Sequence, residues 1–128
     1  MPGPFIFIGT HRVLEGKLDE FKADAIALAE LVETEEQQLL GFNFFLSEDE
    51  TEVTVVQVHP DAESMLVHMG VAAKAIIKGA DEQLETKVIQ IFGEPNETVL
   101  GMIEQLSQSG VPISVKPVHL VGFTRVAP

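Results

Sequence analysis

The sequence contains no cysteine, no tryptophan and no tyrosine, and only eight Lys and Arg against twenty Asp and Glu. Without cysteine there is no disulfide scaffold, thiolate nucleophile, Cys-ligated zinc site or iron–sulfur cluster. The net charge of −12 argues against general DNA or RNA binding, because too few cations are available to displace counterions from phosphates. No apolar run approaches the length that spans a bilayer. The first residues, Met-Pro-Gly-Pro-Phe-Ile-Phe-Ile-Gly, lack the basic start and long apolar stretch of a secretory signal. The expectation is a cytoplasmic protein with no nucleic-acid partner and no membrane partner.

The remainder is the composition of a folded protein. At 128 residues and 45% hydrophobic content, one domain over 1–128 is expected. The charges are unevenly spread: no Lys or Arg lies between Lys22 and Lys74, while eleven acids fall from Asp24 to Glu63. That run reads as a solvated face with loops, or as a surface that repels polyanions.

Periodicity predicts the elements. Residues 5–13 are β-branched and aromatic and read as a strand, broken at Gly16. Leu18, Phe21, Ala25, Leu28, Ala29 and Val32 then recur at helical spacing, with Lys17, Glu20, Asp24 and Glu30 off the stripe. Residues 39–46 and 52–59 read as a hairpin around a polar turn at 47–51. Pro60 ends it, and Asp61 is placed to cap a helix with Ala62, Met65, Leu66, Met69, Ala73 and Ile76 on its apolar side, ending at Gly79. Residues 85–92 form a fourth strand. Asn96 caps a third helix carrying Val99, Leu100, Ile103 and Leu106, closed by Gly110 and Pro112. A last strand lies within 113–126, interrupted by Pro117, which favours a sheet edge. The order β-α-β-β-α-β, over residues 5–93, is a ferredoxin-like α+β pattern, and 94–128 adds a C-terminal helix and strand.

Alternate strand side chains point to opposite faces. Ile6 and Ile8, Phe42, Phe44 and Leu46, Val56 and Val58, and Ile89 and Ile91 make nearly pure apolar faces, which are assigned to the helix-packed core. The opposite faces mix His11, Asn43, Gln57, His59 and Gln90 with Phe5, Phe7, Phe45, Val53, Val55, Val88 and Phe92. Amides and imidazoles among aromatics suit a cavity for a small apolar or aromatic ligand under a second sheet. The alternative is that they pair with one another across a dimer interface.

Three stretches resemble the antibiotic biosynthesis monooxygenase family of dimeric α+β barrels. They are Arg12 to Phe21 (RVLEGKLDEF), Leu40 to Asp49 (LGFNFFLSED) and Asp61 to Met69 (DAESMLVHM). The resemblance implies a homodimer packed sheet to sheet, with a cavity in each protomer. It also implies cofactor-independent oxygenase chemistry on a quinol-like substrate, or a relative that keeps the fold as a non-catalytic binder or structural dimer. Haem-degrading members use a tryptophan, and this chain has none.

His68 matches the family's helix histidine, and with His11 it is the proposed catalytic base, since imidazole titrates near neutral pH. The bland reading of His68 is a surface histidine bonded locally. Phe7, Asn43, Phe45, Gln57, His59 and Gln90 are the expected substrate-binding residues. His11 and His59 share the mixed faces, where they either pair in one cavity as acid and base or stand near solvent as end-of-strand histidines; Asn43 and Gln57 either orient a carbonyl or a bound oxygen species, or satisfy each other or water. His59 and His68 are nine residues apart, which suits neither helical nor strand metal ligation, so no metal and no cofactor is expected.

Overall fold

The computed structural model describes residues 3–75 and 80–125. The elements run β1 (Phe5–Val13), α1 (Leu18–Glu35), β2 (Gly41–Leu46), β3 (Glu52–His59), α2 (Ala62–Ala75), α3 (Ala80–Gln83), β4 (Leu84–Phe92), α4 (Glu97–Gln108) and β5 (Ile113–Lys116). β1 and β3 fall where alternation predicts them. β2 starts at Gly41 because residues before it are used in a turn, with the Leu39 amide bonded to the Glu36 carbonyl. The short α3 was not expected. The expected stripe residue Ile76 and helix stop Gly79 lie outside the described residues.

The strands form one sheet in the order β2-β3-β1-β4-β5. β1 pairs antiparallel with β3 and β4, and β2 with β3. β5 pairs parallel with β4 at the edge, which leaves Pro117 just beyond the ladder, where its missing N–H costs nothing. The first six elements of the predicted pattern therefore make a ferredoxin-like α+β fold, and α4 with β5 extends the same sheet.

Local chemistry places the helix ends. Asp61 accepts the Ser64 amide at 3.0 Å and starts α2. Asn96 accepts the Val99 amide at 2.9 Å and starts α4. At the far end of α4, Gly110 takes φ 91°, and the Gly110 and Val111 amides bond back to the Ser107 and Leu106 carbonyls. This is a Schellman stop, and it requires a residue without Cβ strain at position 110.

The helices cover the sheet face that carries Phe5, Phe7, Ile89 and Ile91, packed on Ala62, Met65 and Val99. A second cluster joins Val13 and Val53 to Phe21 and Ala25 of α1. This corrects the face assignment for β1 and β3. Ile6, Ile8, Val56 and Val58 lie on the uncovered face, and the mixed set Phe5, Phe7, His11, Gln57 and His59 lies under the helices. The register fixes it, since Phe5 faces His59 and Phe7 faces Gln57 in one direction and Ile91 in the other. The assignment for Phe42 and Phe44 and for Ile89 and Ile91 stands. Purity of an apolar face does not identify the helix side when both faces are apolar and the buried polar groups can pair.

Ile91 is fully buried at the centre of the larger cluster. Ile91→Ala is expected to cost about 2–5 kcal/mol by deletion of buried atoms and the cavity they leave. Urea unfolding of the purified protein measures it. A loss below about 1 kcal/mol contradicts the helix-side position of this face.

Candidate functional site

Phe21, Ala25 and Val32 form the buried stripe of α1, and the next position on that stripe is Glu36, the residue that caps the helix. Its side chain is 0% exposed. A carboxylate at a core position needs a partner, because an unpaired buried charge is costly. His68 supplies it: its Nδ1 lies 2.8 Å from Glu36 Oε2, and its side chain is 6% exposed. His68 reaches that position because Ser64, His68 and Val71 form a second buried stripe on α2, four and then three residues apart. With Nδ1–H donating to the carboxylate, the neutral ring presents Nε2 as an acceptor, and Nε2 has no hydrogen-bond partner among the described residues.

The pair belongs to a longer network. Gln38 Nε2 donates toward Glu36 Oε1 at 3.4 Å and to Ser64 Oγ at 3.3 Å. Ser64 Oγ lies 2.7 Å from His59 Nδ1, and His59 Nε2 lies 3.0 Å from Gln57 Oε1. A neutral His59 protonated on Nε2 satisfies all of it: Nε2–H donates to Gln57, and the Ser64 hydroxyl donates to Nδ1. Burial pushes the His59 pKa down to about 4, the neighbouring His68 ring adds to the effect, and Asp61 opposes it. Rings enclose the network: Phe42 sits 5.1 Å from His68, His68 6.0 Å from His59, and His59 6.2 Å from Phe5, centroid to centroid.

A cleft of about 570 Å³ opens beside this network, between the second half of α1 and the start of β2. Val32, Leu39, Leu40 and Phe42 make its apolar wall, and Glu30 and Glu33 stand at its edge. Glu36 and Phe42 line it, and both touch His68. His68 thus stands directly behind the cleft wall.

The predicted site residues divide into three groups. His68, His59 and Gln57 come together. Phe7 is on the same face but is core filler in the larger cluster. His11 is on that face too, opposite Val53, whereas His59 is opposite Phe5. Six residues of strand separate the two positions, roughly 20 Å, so His11 and His59 do not share a cavity. His11 instead bonds Thr86 Oγ1 at 2.9 Å, and burial lowers its pKa. Asn43, Phe45 and Gln90 lie on the uncovered face, opposite Val56, Thr54 and Ile8. Asn43 and Gln57 therefore do not satisfy each other. Glu36, Gln38 and Ser64 were missed by sequence reasoning. The signal for Glu36 was its place on the 21-25-32 stripe, hidden inside an acidic run that reads as solvent-facing. Among the described residues no three His, Asp or Glu side chains are arranged to hold a metal ion, and no helix is long and apolar enough to cross a membrane.

No family model and no curated protein matches the sequence. Solved structures do match. MupZ from Pseudomonas fluorescens is 18% identical, with a TM-score of 0.73 over 96% of this chain and 95% of that one. A proposed antibiotic biosynthesis monooxygenase from Bacteroides thetaiotaomicron is 16% identical, with a TM-score of 0.58 over 66% of this chain and 85% of that one. Another from Nitrosomonas europaea is 15% identical, with a TM-score of 0.58 over 67% and 88%. The chain has the ferredoxin-like α+β fold of these proteins. The MupZ match extends over almost the whole chain, so that fold has a counterpart for most of the part after β4.

The depressed His59 pKa has a consequence for stability. Between about pH 6.5 and 4 the unfolded chain takes up a proton at this ring and the folded chain does not, so stability falls as pH falls through that window. The exposed carboxylates with lowered pKa, Asp49 and Glu85, lose their contribution only in the more acidic range of carboxylates. Thermal midpoints measured from pH 7 to 4.5 are expected to decline, and His59→Gln to flatten the decline while lowering the midpoint at pH 7. An unchanged slope in the variant refutes the assignment.

Proposed function

We propose that this chain is a cofactor-independent monooxygenase-like protein that acts on a small aromatic, quinol-like substrate. The observation that carries the reading is the enclosed Glu36–His68 pair directly behind a cleft walled by Phe42, Leu39 and Leu40. In this reading the apolar wall holds the ring and His68 Nε2 accepts the proton of a substrate hydroxyl. Glu36 fixes the ring orientation and stabilises the imidazolium that forms. The phenolate then reacts with dioxygen. One oxygen atom enters the ring, the other leaves as water, and the substrate supplies the electrons as it becomes a quinone. His59, with its low pKa, stays neutral and acts only through Ser64 and Gln38 to hold the Glu36 carboxylate. Two copies joined through the uncovered sheet face form the homodimer, as the fold of the matched structures supports.

One observation favours a second reading. Neither member of the pair is more than 6% exposed. A protein that keeps the pair to tie α1 to α2, and uses the cleft only to bind a small molecule, needs no access to Nε2.

Oxygen uptake with a panel of hydroquinones and phenols separates the two. His68→Ala is expected to lower the rate about 10²–10⁴-fold, the usual contribution of a positioned base. Glu36→Gln keeps the shape and removes the charge; it is expected to lower kcat with little change in KM and to alter the pH profile. His11→Ala is expected to leave the rate unchanged, and a comparable loss there would move the base to the other end of the sheet. Absence of uptake by the parent across the panel, with ligand binding retained, supports the non-catalytic reading.

A further inference from the structure

The segment after β5 is built unlike the rest of the chain. Residues 117–125 contain no helix or strand, and every one of them is exposed. Val118, Leu120, Val121 and Phe123 are 84%, 90%, 81% and 79% exposed, higher than any other exposed large hydrophobic residue among those described. Four such side chains in one short arm make an apolar strip that water does not favour. The arm touches its own body through His119, which lies over Gly3, where any side chain would collide with the imidazole ring.

Charge points to what covers the strip. No Asp or Glu follows Glu104, so all twenty acids lie before this segment, while Lys116 and Arg125 flank it. Arg125 rests 4.8 Å from the Phe123 ring centroid, which places a cation beside the apolar strip. The arm is therefore apolar and basic, and the body is strongly acidic. The body also carries an uncovered apolar sheet face around Ile6, Ile8, Val56 and Val58. Every copy of this chain offers the arm both an apolar sheet face and a body of opposite net charge.

We infer that the arm docks on a second copy of this chain, with Leu120, Val121 and Phe123 against the partner's body beside the uncovered sheet face and Lys116 and Arg125 toward its acids. The inference rests on the homodimer reading above and adds to it an exchange of arms. The arms extend the apolar contact beyond the sheet faces and bring in a stretch of the chain that carries no acid after Glu104.

Sedimentation velocity over a dilution series tests it, using the full-length chain, the double variant Leu120→Ser/Phe123→Ser and the variant Val56→Asp, each at low and high salt. The parent is expected to be a dimer that dissociates more readily at high salt, as the attraction between charges at a wet rim is screened. The arm variant is expected to dissociate more readily on the order of a hundredfold, with its circular dichroism unchanged because the substituted residues touch no core. Val56→Asp is expected to be monomeric. A parent dimer with the same dissociation constant in the arm variant overturns the arm exchange and leaves the homodimer standing. A parent that sediments as a 14.0 kDa particle at every concentration overturns both.

Discussion

The structure depends on the burial of one carboxylate. Glu36 ends α1 with its side chain inside, and only a donor presented from α2 makes that tolerable. His68 is that donor, and its position follows from Asp61 capping α2 and setting the phase of the helix. The pair therefore does more than bond two side chains. It couples the end of α1 to the face of α2, and the start of β2 follows directly, because the Leu39 amide bonds the Glu36 carbonyl and the Leu40 amide bonds Val58. The cleft is bounded by these same segments. Removing either partner leaves the other buried and unpaired, so the functional reading and the packing of the cleft rest on one hydrogen bond.

Around that bond the polar side chains are linked end to end by hydrogen bonds. Gln57, His59, Ser64 and Gln38 form a continuous chain back to Glu36. The enclosing rings continue past His68: Phe42 stands 5.2 Å from Phe44, and Phe44 6.0 Å from Phe21. A polar network sheathed in aromatics has a low local dielectric, which strengthens its hydrogen bonds and penalises any added charge. The depressed His59 pKa is one expression of that environment. It also separates the roles of two histidines that lie 6.0 Å apart: His59 is spent on two hydrogen bonds, while only His68 keeps a nitrogen without a partner among the described residues.

Much of the fold was legible in the sequence because its signals are local. The alternation at Phe5–Val13 and Glu52–His59, the caps Asp61 and Asn96, and the stop at Gly110 each act within a few residues, and each appears in place. Which sheet face meets the helices was not local. On β1 the choice lay between Ile6 and Ile8 on one side and Phe5, Phe7 and His11 on the other, and both sides are apolar enough to be buried. The deciding fact was that Gln57 and His59 satisfy each other and Ser64, which requires α2 overhead. The candidate site was legible only in part for the same reason. His68 could be suspected from its helix, but Glu36 is 32 residues away in sequence and looks like one more charge in an acidic run.

The reversal of the faces also changes what the uncovered side means. Had the polar set faced outward, that surface would be an amphipathic cavity wall awaiting a lid. It is instead a sheet surface with Ile6, Ile8, Val56 and Val58 at its centre and Thr10 bonded to Thr54 beside them at 3.0 Å. The Thr10 and Thr54 hydroxyls on it are already paired, and the Asn43 and Gln90 amides are the polar groups that a covering surface has to satisfy. A flat partner that brings its own apolar surface suits it better than a ligand with many hydrogen-bonding groups. The proposed chemistry and the proposed assembly thereby fall on opposite faces of one sheet. The histidine network lies on the helix side and the uncovered apolar surface on the other, and the central strands β1 and β3 build both through the alternation of their side chains.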